Sequence, residues 1–243
     1  MAALVGRKFQ ENRDTAQHVA QATAWAKART VPVDAALRAI GLLTVGPAPE
    51  LPPGMIAEAT ERAARSKVAM GGPADLRLLY AAARLGGARR MVETGVAYGW
   101  SSLALLAASE DRPDSRLVSV DMPYPKMNNE AFVGIVVPER FHARWKLVRK
   151  PDRNGLREAL QVLGGRIDLC HYDSDKSYQG RRFAYPLLWA ALEPGGIFIS
   201  DDIGDNFGFA EFAAETGAPC AIVESEGKFV GILRKPGARP ESQ

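Results

Sequence analysis

The chain has 243 residues, 47% of them apolar and 24% charged, values that exclude long disorder and an all-charged helical rod and suit one large domain with an appendage. A formal net charge of +3, with basic residues scattered among acids, gives no support to a nucleic-acid partner. The apolar stretch Ala2 to Val5 is too short for a signal-peptide core and no apolar run approaches a membrane span, so a cytoplasmic protein with no membrane partner is expected.

From Met1 to about Lys67 the chain is rich in Ala, Glu, Arg and Gln and is broken by Pro47, Pro49, Pro52, Pro53 and Gly54, a pattern that predicts short helices. Val33 to Leu43 and Met55 to Ala64 have helical apolar spacing, but neither is long enough to stand alone in water, so both must pack on something. After Gly71-Gly72, Pro73 is read in a first helical turn, with Leu76, Leu78, Leu79, Ala82 and Leu85 forming an apolar face up to Gly86-Gly87. The expected division is an N-terminal helical segment over 1–72, available for lid, substrate or oligomer contacts, a main domain over 73–235 and a loose tail over 236–243.

Beyond Gly87 the pattern becomes strand, turn, helix, repeated. Strands are predicted at Arg90 to Thr94, Arg116 to Asp121, Trp145 to Arg149, Ile167 to Asp173 and Gly196 to Ser200. Helices fall at Trp100 to Ala108, Leu156 to Leu163, Tyr178 to Leu192 and Phe207 to Thr216. Cys220 to Glu224 and Phe229 to Leu233 close the chain as a pair joined through Ser225-Glu226-Gly227, short enough for a hairpin. This alternation predicts an α/β fold: a doubly wound, mostly parallel seven-stranded sheet covered on both faces, its last strand antiparallel. Cys170 and Cys220, inside predicted strands, read as small buried hydrophobes and not as a disulfide or zinc site.

Ligands of open α/β sheets sit beyond the carboxyl ends of the strands, so the strand ends carry the information. Four of them bear acids: Glu93, Asp121, Asp173 and the pair Asp201-Asp202. The first strand runs into Glu93-Thr94-Gly95-Val96-Ala97-Tyr98-Gly99-Trp100-Ser101-Ser102. Here Gly95 and Gly99 permit close backbone approach, and Ser101 lies near a helix N-terminus that favours a carboxylate. Ala97 stands where the second glycine of G-x-G-x-x-G would be. A nicotinamide dinucleotide is therefore disfavoured relative to a ligand bringing one carboxylate and one ammonium, and Asp121 is placed to accept both hydroxyls of a ribose. The plainer alternative is a Gly-rich turn with a capping aspartate.

The second group is Asp173-Ser174-Asp175-Lys176-Ser177-Tyr178 at one strand end and Ser200-Asp201-Asp202 at the next, linked by a right-handed crossover helix. Neighbouring strands run about 4.8 Å apart, so Asp173, Asp201 and Asp202 could share one ion at metal–oxygen distances of about 2.1 Å. Without a cation, converging carboxylates repel and one tends to protonate. An all-oxygen ligand set points to Mg²⁺, Mn²⁺ or Ca²⁺. The alternative is that Asp201 or Asp202 caps the following helix and Asp173 starts a turn.

Together, Glu93 to Ser102, Asp121, Asp173-Ser174-Asp175-Lys176 and Leu192-Glu193-Pro194-Gly195-Gly196 with Asp201-Asp202 resemble the class I S-adenosylmethionine (SAM) dependent methyltransferases. The nearer resemblance is to the metal-dependent O-methyltransferases of the catechol and caffeoyl-CoA types and to the bacterial group related to cephalosporin-hydroxylase proteins, and it covers roughly 72–235. It implies a Rossmann-like domain that binds SAM and a divalent cation, Mg²⁺ first. It assigns the methionine portion to Glu93, Gly95, Ala97 and Ser101, the ribose to Asp121, and adenine to Asp152 by a looser match, with Asp173 beside the cofactor. The metal falls on Asp173, Asp201 and Asp202, and Lys176 and Asp175 are candidate bases. Two positions depart from the pattern: catechol-type enzymes usually have Asn in place of Asp202, and the bacterial relatives often have His in place of Lys176. His171 reads first as a packed histidine and His142 as solvated, while Trp100 is expected beneath the cofactor. The 123–145 insertion is either a small packed turn or a substrate lid. The implied partner is a small-molecule acceptor, phenol, sugar or another natural product, with a homodimer left open. Competing expectations are a metal-independent N- or O-methyltransferase and a SAM-binding accessory protein without turnover.

Overall fold

The computed structural model describes residues 16–237. The readings made on Ala2 to Val5 and on the tail from residue 238 onward lie outside the described residues. Alternating apolar runs build a seven-stranded sheet: β1 (Arg90–Thr94), β2 (Arg116–Val120), β3 (Trp145–Val148), β4 (Ile167–Tyr172), β5 (Leu192–Ser200), β6 (Cys220–Ser225) and β7 (Lys228–Arg234). The order is β3-β2-β1-β4-β5-β7-β6, with β1 to β5 mutually parallel. The expected hairpin is present: β7 runs antiparallel to both β5 and β6.

Side chains of a strand alternate between faces, and each face here has its own core. Met91, Leu169, Ile197 and Ile199 point to one side, packing with α2 (Val33–Ala39), α3 (Met55–Ala63), α4 (Leu76–Leu85) and α5 (Trp100–Ala108). Val92, Cys170 and Phe198 point to the other, covered by α6 (Asp152–Val162), α7 (Tyr178–Ala191) and α8 (Gly208–Thr216), with Ala26 of α1 (residues 16–27). The short N-terminal helices thus find the packing they need inside the same core as the sheet. After α1 the chain lies along the outer strand, Thr30 bridging Ile222 and Val31 N–H donating to Ile222 O at 2.8 Å, which covers part of an otherwise open sheet edge. No helix among the described residues is long and apolar enough to cross a membrane.

Four expectations need correction. Helix α6 begins at Asp152, four residues before the expected Leu156, because Pro151 stands at its N-cap. Pro73 does not enter a helix: α4 begins at Leu76, because Asp75 before it adopts a left-handed conformation (φ 57°) that breaks the helical path. Strand β5 starts at Leu192, four residues early, its pairing with β4 shifting register between Ile167 and Leu169 where Pro194, Gly195 and Gly196 interrupt the apolar run. Cys220 is exposed, since β6 is the outermost strand; only Cys170, in central β4, is buried. The 123–145 insertion folds into three short 3₁₀ turns over Pro125–Met127, Glu130–Phe132 and Glu139–Arg144, anchored through buried Val136, Val137 and Phe141.

Candidate active site

Four of the five parallel strands, β1, β2, β4 and β5, make one further hydrogen bond past their last residue. Gly95 N–H donates to Val120 O (2.9 Å), Asp121 N–H to Val148 O (3.0 Å), Asp173 N–H to Thr94 O (3.1 Å) and Asp201 N–H to Tyr172 O (3.0 Å). These bonds align Gly95, Asp121, Asp173 and Asp201 along the carboxyl edge of the sheet. From β1 the chain winds outward through β2 and β3, and from β4 the other way, so the crevice expected at such a switch point opens between β1 and β4.

The β1–α5 turn passes through left-handed conformations at Gly95 (φ 76°), Ala97 (φ 47°) and Gly99 (φ 90°). A Cβ on Gly95 would overlap the Asp173 carbonyl, so glycine there lets the two strand ends touch. Ala97 has no such freedom, and backbone strain of this kind, about 1–3 kcal/mol, gathers where a ligand is held. Val96 N–H donates to Asp121 Oδ1 at 3.0 Å, tying the turn to β2. Tyr98 ties it to the chain before α4, its hydroxyl donating to Val68 O at 2.5 Å and accepting from Met70 N–H at 3.3 Å.

A cavity of about 390 Å³ lies above this edge, within the roughly 300–1,000 Å³ of small-molecule sites. The turn supplies Gly95, Val96, Ala97, Trp100 and Ser101, and β2 supplies Asp121. His171, Asp173 and Ser174 come from the end of β4 and Asp201 from the end of β5. The remaining wall is Met70, Gly71, Gly72, Ala74 and Asp75 before α4, Met122 after β2, Tyr124, Met127 and Asn129 of the insertion, and Glu226 with Lys228 of the β6–β7 hairpin. Beside the cavity, Asp173, Asp201 and Asp202 each present a carboxylate oxygen, the three lying within 4.8 Å of one another.

Residues 92–203 match a family model described as a methyltransferase domain. Over those residues the chain is similar to a methyltransferase domain. A search of curated protein sequences finds no match to it. Solved structures similar in fold include a cofactor-bound protein, Rv0187, from MTB, with TM-score 0.57 and 18% identity over 76% of this chain and 92% of that one. A Podospora anserina methyltransferase, PaMTH1, bound to SAH (S-adenosylhomocysteine), gives TM-score 0.56 and 18% identity over 76% of this chain and 89% of that one. A Bacillus cereus O-methyltransferase in complex with SAH gives TM-score 0.55 and 14% identity over 86% of this chain and 100% of that one.

At this sheet edge, burial and then Asp201 push the Asp173 carboxyl up to about 6, against the pull of His171, Lys176 and Lys228. Burial, then Asp201, push Asp75 up to about 7. Burial works against a charged His171, but Glu93, Asp173 and Asp201 outweigh it and leave the imidazole pKa raised. The acids thus crowd one another enough to favour a bound cation or retained protons. Two lysines answer part of this charge: Lys176 pairs with Asp202 and stands 3.7 Å from Asp173, and Lys228 stands 3.5 Å from Asp202.

Of the residues singled out in the sequence, Gly95, Ala97, Ser101, Asp121, Asp173 and Asp201 line the cavity, as does Trp100. Glu93 does not: it is fully buried on the α5 side of β1, accepting hydrogen bonds from Ser102 Oγ (2.5 Å) and Ser119 Oγ (2.6 Å). Asp152 is turned back onto β4, accepting from Ser174 Oγ (2.5 Å) and Tyr172 OH (3.3 Å). Asp175 is likewise outside the lining, its carboxylate accepting Ser177 N–H (3.0 Å) and lying against Gly180 in the first turn of α7. Lys176 and Asp202 reach the acid cluster from the rim. His142 is exposed, with Nε2 3.2 Å from Val137 O. The sequence reading passed over Asp75, Lys228 and Arg149, the last of which pairs with both Asp121 and Glu130.

Proposed function

We propose that the chain is a SAM-dependent O-methyltransferase acting on a hydroxyl of a small molecule, with a divalent cation, Mg²⁺ first, at the acid cluster. The observation that carries this reading is the convergence of Asp173, Asp201 and Asp202 beside a cavity that also contains the strained Gly95–Gly99 turn and Asp121. Unpartnered buried atoms of cavity residues, Asp75 Oδ1, Trp100 Nε1 and Asp173 Oδ1, are what a polar ligand would complete. The SAH held by two of the similar structures supports SAM as donor.

When bound, SAM supplies an electrophilic methyl group and the cation supplies Lewis acidity at the acceptor hydroxyl. The chain's own work is orientation and proton management. The turn at Gly95, Ala97 and Ser101 holds the methionine end of the cofactor, and Asp121 accepts from the ribose. Asp173, Asp201 and Asp202 hold the cation. Of the two residues first considered for proton removal, only Lys176 reaches this cluster, and it is the candidate retained. Action in the cytoplasm belongs to the same proposal.

A second reading has its own observation. Lys176 and Lys228 already pair with Asp202, and two lysines could balance the aspartates in a metal-independent methyltransferase. Screening for SAH formation across phenols, hydroxylated polyketides and sugars, with Mg²⁺ and after EDTA, separates the two. Loss of turnover in EDTA with recovery in Mg²⁺ supports the first, and full turnover after exhaustive chelation supports the second.

A further inference from the structure

On the cavity wall just before α4, Asp75 is held in a left-handed backbone conformation (φ 57°) and its Oδ1 is buried with no hydrogen-bond partner. Its own N–H donates to Ser225 Oγ at 3.4 Å, which fixes the residue against the β6–β7 hairpin that also brings Glu226 to the cavity. Backbone strain and an unsatisfied buried carboxylate oxygen are each costly, and both persist where a ligand completes the group. His171 lines the same cavity but turns its Nδ1 toward the buried Glu93 carboxylate, 3.8 Å away, so the unsatisfied group on this wall is Asp75 Oδ1.

Charge says what that ligand carries. Asp121 is answered by Arg149, and Asp202 by Lys176 and Lys228. Among the described residues Lys228 is the only lysine or arginine in the cavity lining, and it is committed to that pair. Among the described residues neither Asp75 nor Glu226 forms an ion pair, so this wall offers carboxylates and no spare cation. We propose that Asp75, with Glu226 beside it, recognises a protonated amine on the methyl acceptor, so that amine-bearing hydroxylated molecules are selected over carboxylate-bearing ones. The inference rests on the reading of the site as an O-methyltransferase. The reluctance of Asp75 to ionise in the free protein agrees with it, because an ammonium at Oδ1 supplies the missing opposite charge.

The test uses the full chain loaded with SAH and Mg²⁺ and a matched pair of probes, tyramine and 4-hydroxyphenylacetate, followed by calorimetry or ligand-observed NMR. Asp75→Asn keeps the shape, and asparagine tolerates the left-handed backbone. Wild type is expected to bind tyramine at least about tenfold more tightly than the acid, as one charge-assisted hydrogen bond provides, and Asp75→Asn to lose most of that ratio with SAH affinity unchanged. Equal binding of the two probes, failure of both to bind, or a ratio that survives in Asp75→Asn overturns the proposal. So does a loss of SAM or SAH affinity in the variant, which would assign the carboxylate to the cofactor. Replacing SAH by SAM separates the two levels: amine-selective binding without SAH formation from any acceptor counts against O-methyl transfer while supporting Asp75 as an amine site, and turnover without selectivity does the reverse.

Discussion

Both carboxylate oxygens of Asp121 already have partners, Val96 N–H on Oδ1 and Arg149 on Oδ2. A ribose arriving there shares the first and competes with the second. Asp121→Ala is expected to weaken SAM binding by about 1.5–3 kcal/mol in calorimetry, the scale of hydrogen bonds to a charged group; unchanged affinity in a folded variant removes the assignment. Lys176→Met should lower the single-turnover rate by about 10²- to 10⁴-fold on a verified acceptor, as loss of a general base does, with SAM affinity little changed. Asp175→Asn should have a small effect, because its carboxylate is engaged by Ser177 N–H ahead of α7 and not by the acid cluster. The reverse pattern would make Asp175 the base. The acids at the strand ends were legible in the sequence, since their positions follow from where apolar runs stop. Asp75 was not, because nothing in a polar linker foretells a left-handed residue that turns a carboxylate into a cavity. Nor was Arg149, whose partner Glu130 lies in an insertion with no regular period.

Among the elements, the strands and the helices after Gly87 were readable because their apolar periods are clean and bounded by glycine, proline or acid. The misplaced start of α4 and the early start of β5 both fall where proline and glycine admit more than one backbone path. The Gly95 turn is the element whose geometry is most demanding. Gly95→Ala combines a positive φ with overlap at the Asp173 carbonyl, and is expected to destabilise the fold by more than about 1 kcal/mol, seen as a lower melting temperature, and to abolish SAM binding. Normal melting and normal affinity in that variant would mean that the two strand ends do not touch in solution.

For the whole molecule, the acid cluster makes stability depend on pH and cation together. Asp75 and Asp173 have carboxyl pKa values raised to about 7 and about 6 in the folded chain, against about 3.9 when unfolded. The folded state therefore binds protons more tightly, so the stabilisation from these groups is greatest below about pH 4, is lost as pH rises through the folded values and is gone above about pH 7. EDTA-treated protein should accordingly melt at a higher temperature near pH 6 than near pH 8, with a shallower dependence in Asp75→Asn. Mg²⁺ should raise the melting temperature more at the higher pH, where it meets ionised carboxylates. A melting temperature that rises with pH over that range in the metal-free protein would contradict these shifts.

The most direct test of a cofactor and a cation side by side at one sheet edge is an anomalous-difference map from crystals grown with SAH and Mn²⁺. The expected result is one strong peak among Asp173, Asp201 and Asp202, with SAH running along Gly95 to Ser101 and its ribose at Asp121. A map with SAH in place but no manganese at those aspartates would contradict the metal-assisted reading, and SAH bound elsewhere would contradict the site as a whole.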